Sequence, residues 1–194
     1  MNEKVIITDV DGVLLDWTHT FRGWMKTKGY NVINPEEYRI NVQYDIHREL
    51  AKQYIRAFNE SADIAFLTPH LDAIKYVRKL HEEHGYVFHV VTSQSNNKNA
   101  QNLRIQNLKN VFGDTVFEEF TILDTGANKD QALKKYRNSG CYWIEDKPEN
   151  AEVGVDLGLE GILMEHDHNK DYLNVNIKTA RIGKKFIISS LENR

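Results

Sequence analysis

The sequence has little cysteine and little proline, with one cysteine, Cys141, and three prolines among 194 residues. A single cysteine excludes an intrachain disulfide, so the chain must fold by packing alone, which suits a reducing compartment. No apolar run approaches the roughly 18 residues that a membrane-spanning helix needs. The first residues enter an apolar strand pattern without the apolar segment of a secretory signal. We therefore expect a cytoplasmic protein with no membrane partner.

The sequence also lacks a strong charge of either sign. Its 25 Lys and Arg residues against 28 Asp and Glu residues give a formal net charge of −3. This mildly acidic balance provides no general attraction to nucleic acid, which is therefore a disfavoured partner. Apolar residues make up 41% of the chain, enough to fill a core, and the length suits one domain with a small insertion.

Short apolar runs recur along the chain at strand length and are rich in β-branched and aromatic residues. Most are nearly continuous, which favours parallel strands that are buried on both faces. The predicted strands are Lys4–Thr8, Tyr86–Val91, Glu119–Leu123, Cys141–Ile144 and Gly161–Met164.

Helical patterns separate these runs. Thr68 and Pro69 are predicted as the N-cap and first position of a helix that ends at Gly85. Further helices are predicted from Lys98 to Val111, with Leu103, Leu108 and Val111 facing inward, from the N-cap Asn128, and from Pro148 to Gly158. Alternation of strands and helices with short connections predicts an α/β fold with a doubly wound parallel sheet.

Residues 17–66 interrupt this alternation. They contain helical patterns at about 17–29 and 45–60 and no strand pattern, and a connection of that length needs its own structure. We predict a small helical cap, residues 17–66, inserted after strand one into a core formed by residues 1–16 and 67–194. Near the end of the chain, Phe186, Ile187, Ile188 and Leu191 suggest a closing helix.

Polar residues follow four of the predicted strands. Strand one is followed by Asp9-Val10-Asp11-Gly12-Val13, strand two by Thr92-Ser93, and strand four by Glu145-Asp146. Strand three leads through a short loop to Lys129. Ligands of open α/β sheets bind outside the carboxyl ends of the strands, so these residues should converge there.

Such a set suits phosphoryl transfer. One carboxylate can act as nucleophile and form an aspartyl-phosphate, while a second carboxylic acid protonates the leaving group and later activates water. Several carboxylates would repel a phosphate unless a divalent cation such as Mg²⁺ lay between them. A lysine and hydroxyl groups can then bind the remaining phosphate oxygens.

The four motifs resemble those of the haloacid dehalogenase (HAD) superfamily, in the same order and over most of the chain. The resemblance implies a HAD-like Rossmannoid phosphatase that needs Mg²⁺. It implies Asp9 as nucleophile and Asp11 as general acid/base, with Asp9, Asp11 and Asp146 on the metal; the contribution of Asp11 is its backbone carbonyl. It also implies Thr92, Ser93 and Lys129 as phosphate-binding residues.

Within that superfamily the chain resembles the 5′(3′)-deoxyribonucleotidase-like group, in size, in the small cap and in the Thr-Ser pair. That likeness implies a nucleoside monophosphate substrate, with Trp17 and Phe66 as aromatic residues that contact the base. The chain departs from the group in having Glu145 before Asp146, which leaves open whether Glu145 touches the metal. It also lacks a proline after Thr-Ser, and Lys98 competes with Lys129 for the phosphate.

The preferred interpretation is therefore a phosphomonoesterase acting on a small phosphorylated metabolite. Two alternatives stay open: a HAD-type 3′-phosphatase acting on nucleic-acid ends, and a HAD-like binding module without turnover. The sequence His166-Asp167-His168 looks like a metal cluster, but we interpret it as a solvated loop that borders the site after strand five.

Overall fold

The computed structural model describes residues 4–181, so the predicted closing helix at Phe186–Leu191 lies outside the described residues. The strands are β1 (Lys4–Thr8), β2 (Tyr86–Ser93), β3 (Phe117–Leu123), β4 (Tyr142–Glu145), β5 (Glu160–Glu165) and β6 (Lys178–Arg181). The five predicted strands are present, and each except β1 differs from its prediction by one or two residues at an end.

The six strands form one parallel sheet in the order β3-β2-β1-β4-β5-β6. This confirms the predicted doubly wound α/β architecture. The strand order reverses beside β1, so the loops after β1 and β4 flank the crevice in which such sheets bind ligands. Strand β6 was not predicted, because Lys178-Thr179-Ala180-Arg181 is a short edge strand without an apolar run.

The helices are α1 (Trp17–Thr27), α2 (Ile40–Gln43), α3 (Arg48–Asn59), α4 (Leu71–Glu82), α5 (Lys98–Phe112), α6 (Asp130–Leu133) and α7 (Pro148–Asp156). Short 3₁₀ helices cover Ala62–Phe66 and Lys134–Tyr136. None of the helices within residues 4–181 is long and apolar enough to cross a membrane.

The predicted start of α4 is wrong. Thr68 and Pro69 lie outside the helix, which has His70 as its N-cap and begins at Leu71. The reason is a competing backbone pairing: the amide of Asp16 donates to the carbonyl of Thr68 at 2.8 Å, and Pro69 bridges Leu15. Residues 68–70 are therefore extended beside the end of the β1 loop. Similarly, the N-cap of α6 is Lys129 rather than Asn128.

Residues 17–66 contain three helices, α1 to α3, around a cluster of aromatic rings. Phe21 is fully buried at its centre, stacked on Trp17 at 4.4 Å and edge-on to Phe58 at 5.3 Å. Helix α2 was not predicted, because four residues are too few to show a helical period. The boundaries of core and cap at 16/17 and 66/67 remain a prediction.

Close packing fixes the end of β4. A Cβ atom on Gly154 of α7 would lie 2.3 Å from Cδ1 of Trp143, so only glycine lets the helix approach this buried ring. The indole of Trp143 also donates to the carbonyl of Asn150 at 2.9 Å. Helix α7 is thereby held against β4, which ends at Glu145 and is followed directly by Asp146.

Candidate active site

The loop after β1 is a tight turn whose backbone is bonded to its neighbours. The amide of Asp9 donates to the carbonyl of Ile144 on β4 at 2.8 Å, and the amides of Leu14 and Leu15 donate to the carbonyl of Val10 at 2.9 Å. Gly12 has φ +76°, a conformation that side chains disfavour. This turn places Asp9 at the crevice between β1 and β4.

A buried ion-pair cluster joins Lys129 to two carboxylates. Its Nζ atom lies 2.8 Å from Oδ2 of Asp9 and 2.6 Å from Oε2 of Glu145. Burial alone lowers the pKa of Lys129, but the charges of Asp9 and Glu145 outweigh it, so the pKa of this lysine is raised. Lys129 is therefore a fixed positive charge at the predicted phosphate site.

Glu145 uses both of its oxygens within the protein. Oε2 pairs with Lys129, and Oε1 accepts the amides of Asp146 at 3.2 Å and Lys147 at 3.1 Å. Burial, followed by the nearby charge of Asp9, raises the pKa of Glu145, and Lys129 opposes this rise. Its contacts identify Glu145 as the residue that anchors Lys129 and the start of α7.

Three carboxylates form a group able to hold a cation. Oxygens of Asp9, Glu145 and Asp146 lie within 4.8 Å of one another. The Oδ1 atom of Asp9 is buried and has no hydrogen-bond partner among residues 4–181. Burial and the charge of Asp9 raise the pKa of Asp146 to about 7. Carboxylate oxygens crowded in this way fit a hard divalent cation such as Mg²⁺.

The carboxylate of Asp11 is not among the oxygens of this group and contacts α5. Its carboxylate pairs with the guanidinium of Arg104, which has no solvent exposure. Burial raises the pKa of Asp11, while Arg104 acts in the opposite direction. Sequence reasoning missed Arg104, because one arginine within a helix gives no signal of burial.

The Thr-Ser pair ends β2 with its two hydroxyls in different roles. Thr92 is buried, and its Oγ1 has no partner among the described residues, so this hydroxyl is available to an anion. Ser93 donates to the carbonyl of Ala127 at 2.9 Å and so holds the loop that precedes Lys129. The competing Lys98 is exposed and donates to Gln101 of its own helix at 3.0 Å.

The two predicted base-contacting aromatics lie at the two ends of residues 17–66, Trp17 at the start of α1 and Phe66 at the end of a 3₁₀ helix. The indole of Trp17 donates to Oδ1 of Asn59 at 2.8 Å, and its ring stacks on Phe21. Phe66 is 77% exposed and borders an open groove of about 620 Å³ along α1. The groove's lining does not include Asp9, Asp11, Lys129 or Asp146. The substrate-binding role of Trp17 and Phe66 stays a prediction.

The loop after β5 borders the site, as expected of residues 166–168. Nε2 of His166 donates to the carbonyl of Gly12 at 2.7 Å, and the two imidazole rings of His166 and His168 stack at 5.5 Å. The side chain of Asn169 donates to the carbonyl of Asp146 at 2.7 Å. These contacts hold the backbones of the first and fourth motifs together.

Tyr38 is a bordering residue that the sequence did not reveal. The residue is 53% exposed, and its ring lies 4.7 Å from that of His168, centre to centre. Burial, together with the charges of Asp146, Glu145 and Asp9, raises the pKa of Tyr38. Tyr38 is thus half exposed and its hydroxyl senses these carboxylates, which places it at the mouth of the carboxylate group. It stands in an irregular loop, where no periodic pattern marks it.

No family model matches the sequence. A curated relative, an uncharacterised 32.4 kDa protein in the Gp30–rIII intergenic region of Enterobacteria phage T4, is 28% identical over 158 residues. The alignment covers 74% of this chain and 54% of that protein, so the chain spans about half the length of the relative that it matches.

Solved structures share the fold. A haloacid dehalogenase-like hydrolase from Streptococcus pneumoniae superposes with a TM-score of 0.65 at 14% identity, over 98% of both chains. CbbY from Rhodobacter sphaeroides, in complex with phosphate, gives 0.60 at 15% identity, over 91% of this chain and 92% of that one. The D,D-heptose 1,7-bisphosphate phosphatase from B. bronchiseptica, with magnesium and phosphate, gives 0.57 at 13%, over 91% and 92%. The chain therefore has the fold of HAD-type hydrolases.

Proposed function

We propose that this chain is a HAD-superfamily phosphomonoesterase that works through an aspartyl-phosphate. The observation that carries the proposal is the setting of Asp9, at the carboxyl end of β1 beside the strand-order reversal. One of its oxygens pairs with Lys129, and the other, Oδ1, is buried without a partner. A carboxylate with one oxygen fixed and one free is oriented to attack phosphorus.

The proposed reaction has two halves. In the first, an oxygen of Asp9 bonds to phosphorus, the bond from phosphorus to the leaving oxygen breaks, and Asp11 gives that oxygen a proton. In the second, a water oxygen bonds to phosphorus, its proton passes to Asp11, and the bond to Asp9 breaks, which releases inorganic phosphate. Lys129 and the Thr92 hydroxyl bind phosphate oxygens throughout.

Asp9 and Asp146 would hold Mg²⁺ directly, together with the backbone carbonyl of Asp11. The two oxygens of Glu145 are already engaged by Lys129 and by backbone amides, which supports an indirect role for it, through water. When bound, Mg²⁺ supplies positive charge that lets a phosphate dianion approach these carboxylates.

Nucleoside monophosphates are the proposed substrate class. Tyr38 and His168 present rings at the mouth of the carboxylate group, and Tyr38, with about half of its surface exposed, can offer its ring to a base. The leaving group of a phosphate bound at Lys129 would point towards these rings and the cap. A nucleobase has flat, apolar faces and polar edges, so it suits a surface formed by these two rings.

The test is phosphate release from a panel of nucleoside monophosphates, sugar phosphates and a 3′-phosphorylated oligonucleotide, with Mg²⁺ or with EDTA. We expect Mg²⁺-dependent release that is fastest with nucleoside monophosphates. Fastest release from the oligonucleotide would support the 3′-phosphatase alternative instead. Absence of release from every compound by folded protein would contradict a phosphatase.

A further inference from the structure

The buried face of α5 is largely polar. Gln101, Arg104 and Asn107 are all buried on it. The amide group of Gln101 donates to the carbonyl of Ser95 at 2.8 Å, and that of Asn107 donates to the carbonyl of Leu67 at 3.3 Å. Each of these side chains thus ties the helix to a loop near the carboxyl edge of the sheet, and Arg104 reaches the loop of the first motif.

Arg104 and Asp11 form a two-point ion pair. Nη1 contacts Oδ1 closely, and Nη2 lies 3.3 Å from Oδ2. Burying a guanidinium without a partner costs free energy, so the ion pair with Asp11 is what allows Arg104 to be buried. Because the guanidinium is a rigid planar fork, two contacts fix the plane of the Asp11 carboxylate as well as its place.

We propose that Arg104 is a positioning residue that aims the Asp11 carboxyl group at the leaving oxygen of the substrate. The inference rests on the phosphomonoesterase function proposed above.

A misplaced Asp11 has a specific kinetic signature. In the first half of the reaction, the bond from phosphorus to the leaving oxygen breaks as a proton passes from Asp11 to that oxygen. An alkoxide leaves poorly without this proton, whereas nitrophenolate is stable enough to leave without it. The value of kcat/KM reports the steps up to this cleavage. The ratio of kcat/KM for a substrate with an alkoxide leaving group to kcat/KM for one with a nitrophenolate leaving group therefore measures the placement of Asp11.

The experiment compares kcat/KM for a nucleoside monophosphate and for p-nitrophenyl phosphate, in Mg²⁺, for wild type and Arg104→Met. We expect the value for the nucleotide to fall at least tenfold further than that for p-nitrophenyl phosphate. Arg104→Lys, which retains the charge and loses the fork, should shift the ratio in the same direction by less. Asn107→Ala removes a buried polar group of the same helix face and should leave the ratio unchanged.

Two further measurements separate positioning from mere support of the fold. In an Asp11→Asn background, Arg104→Met should not alter the ratio, because Arg104 acts through Asp11. The increase in melting temperature that Mg²⁺ gives should be similar in wild type and Arg104→Met, because the proposed cation ligands are the side chains of Asp9 and Asp146 and the backbone carbonyl of Asp11, and Arg104 contacts none of these atoms but only the side chain of Asp11. If Arg104→Met does not fold, Arg104→Lys carries the test.

Equal losses on both substrates would overturn the positioning role, as would an altered ratio in the Asp11→Asn background or loss of the Mg²⁺ effect on melting. An active wild type with an unchanged ratio in both Arg104 variants would overturn this inference alone. A wild type that releases phosphate from neither substrate would overturn the proposed function, and this inference with it.

Discussion

Gly12 and Asp146 are packed so closely that a Cβ atom on the glycine would lie 2.3 Å from Oδ2 of the aspartate. Gly12 also has φ +76°. The first and fourth motifs therefore meet at a point where only glycine leaves room for the proposed cation ligand.

Gly12→Ala should lower the free energy of unfolding and weaken Mg²⁺ binding. The positive φ costs roughly 1–2 kcal/mol in any L-residue, and the methyl group must displace the Asp146 carboxylate. The measurements are urea unfolding and calorimetric titration with Mg²⁺. Gly29→Ala is the matched control, since Gly29 has φ +86° and nothing within 4 Å of its Cβ position. Equal Mg²⁺ affinity in the two variants would refute the role of the Gly12–Asp146 contact.

Asp9→Asn should reduce phosphate release by at least about 1,000-fold, or about 4 kcal/mol in the activation barrier. The amide is nearly isosteric with the carboxylate but is not a nucleophile of comparable strength. Asp114→Asn, an exposed change in the loop before β3, is the control and should retain full activity. A residual rate for Asp9→Asn within tenfold of wild type would remove Asp9 from the role of nucleophile.

The parts of the site that the sequence predicted share one property. Asp9, Thr92, Lys129 and Asp146 each stand at or soon after the end of a parallel strand, and the carboxyl ends of parallel strands meet at one edge. Apolar runs locate those strands well because both faces of the sheet are buried. The strand pattern is therefore enough to predict that these residues meet at the same edge of the sheet, without knowledge of their contacts.

Other residues of the site depend on packing that no periodicity records. On α5 the pattern favoured Leu103, Leu108 and Val111 as the inward residues, but Arg104 is more buried than Leu103 or Val111. Its burial is tolerable only because Asp11 neutralises it, a relationship between residues distant in sequence. Tyr38 escaped prediction for a related reason, since its place depends on the course of an irregular loop.

Lys129→Met should lower the free energy of unfolding by about 3–5 kcal/mol, because it removes the ammonium group that neutralises the buried carboxylates of Asp9 and Glu145. The double variant Lys129→Met/Glu145→Gln should regain part of this loss, since the glutamine is neutral and can still accept the backbone amides. Neither variant should release phosphate at a substantial rate. Urea unfolding in EDTA gives the stabilities, and a double variant no more stable than Lys129→Met would contradict the ion-pair account.

Tyr38→Ala should raise KM for nucleoside monophosphates about fivefold or more, because stacking of a base on an aromatic ring contributes about 1–3 kcal/mol. Inhibition by inorganic phosphate should not change, since phosphate alone does not reach the ring. The melting temperature should change little, because about half of the residue is exposed and its ring contacts that of His168 alone among the aromatic rings described. Ile33→Ala, an exposed apolar change in the same segment of the cap, is the matched control and should leave KM unaltered. An equal rise in KM for p-nitrophenyl phosphate and for nucleotides would mean that Tyr38 shapes the phosphate site and does not contact the base.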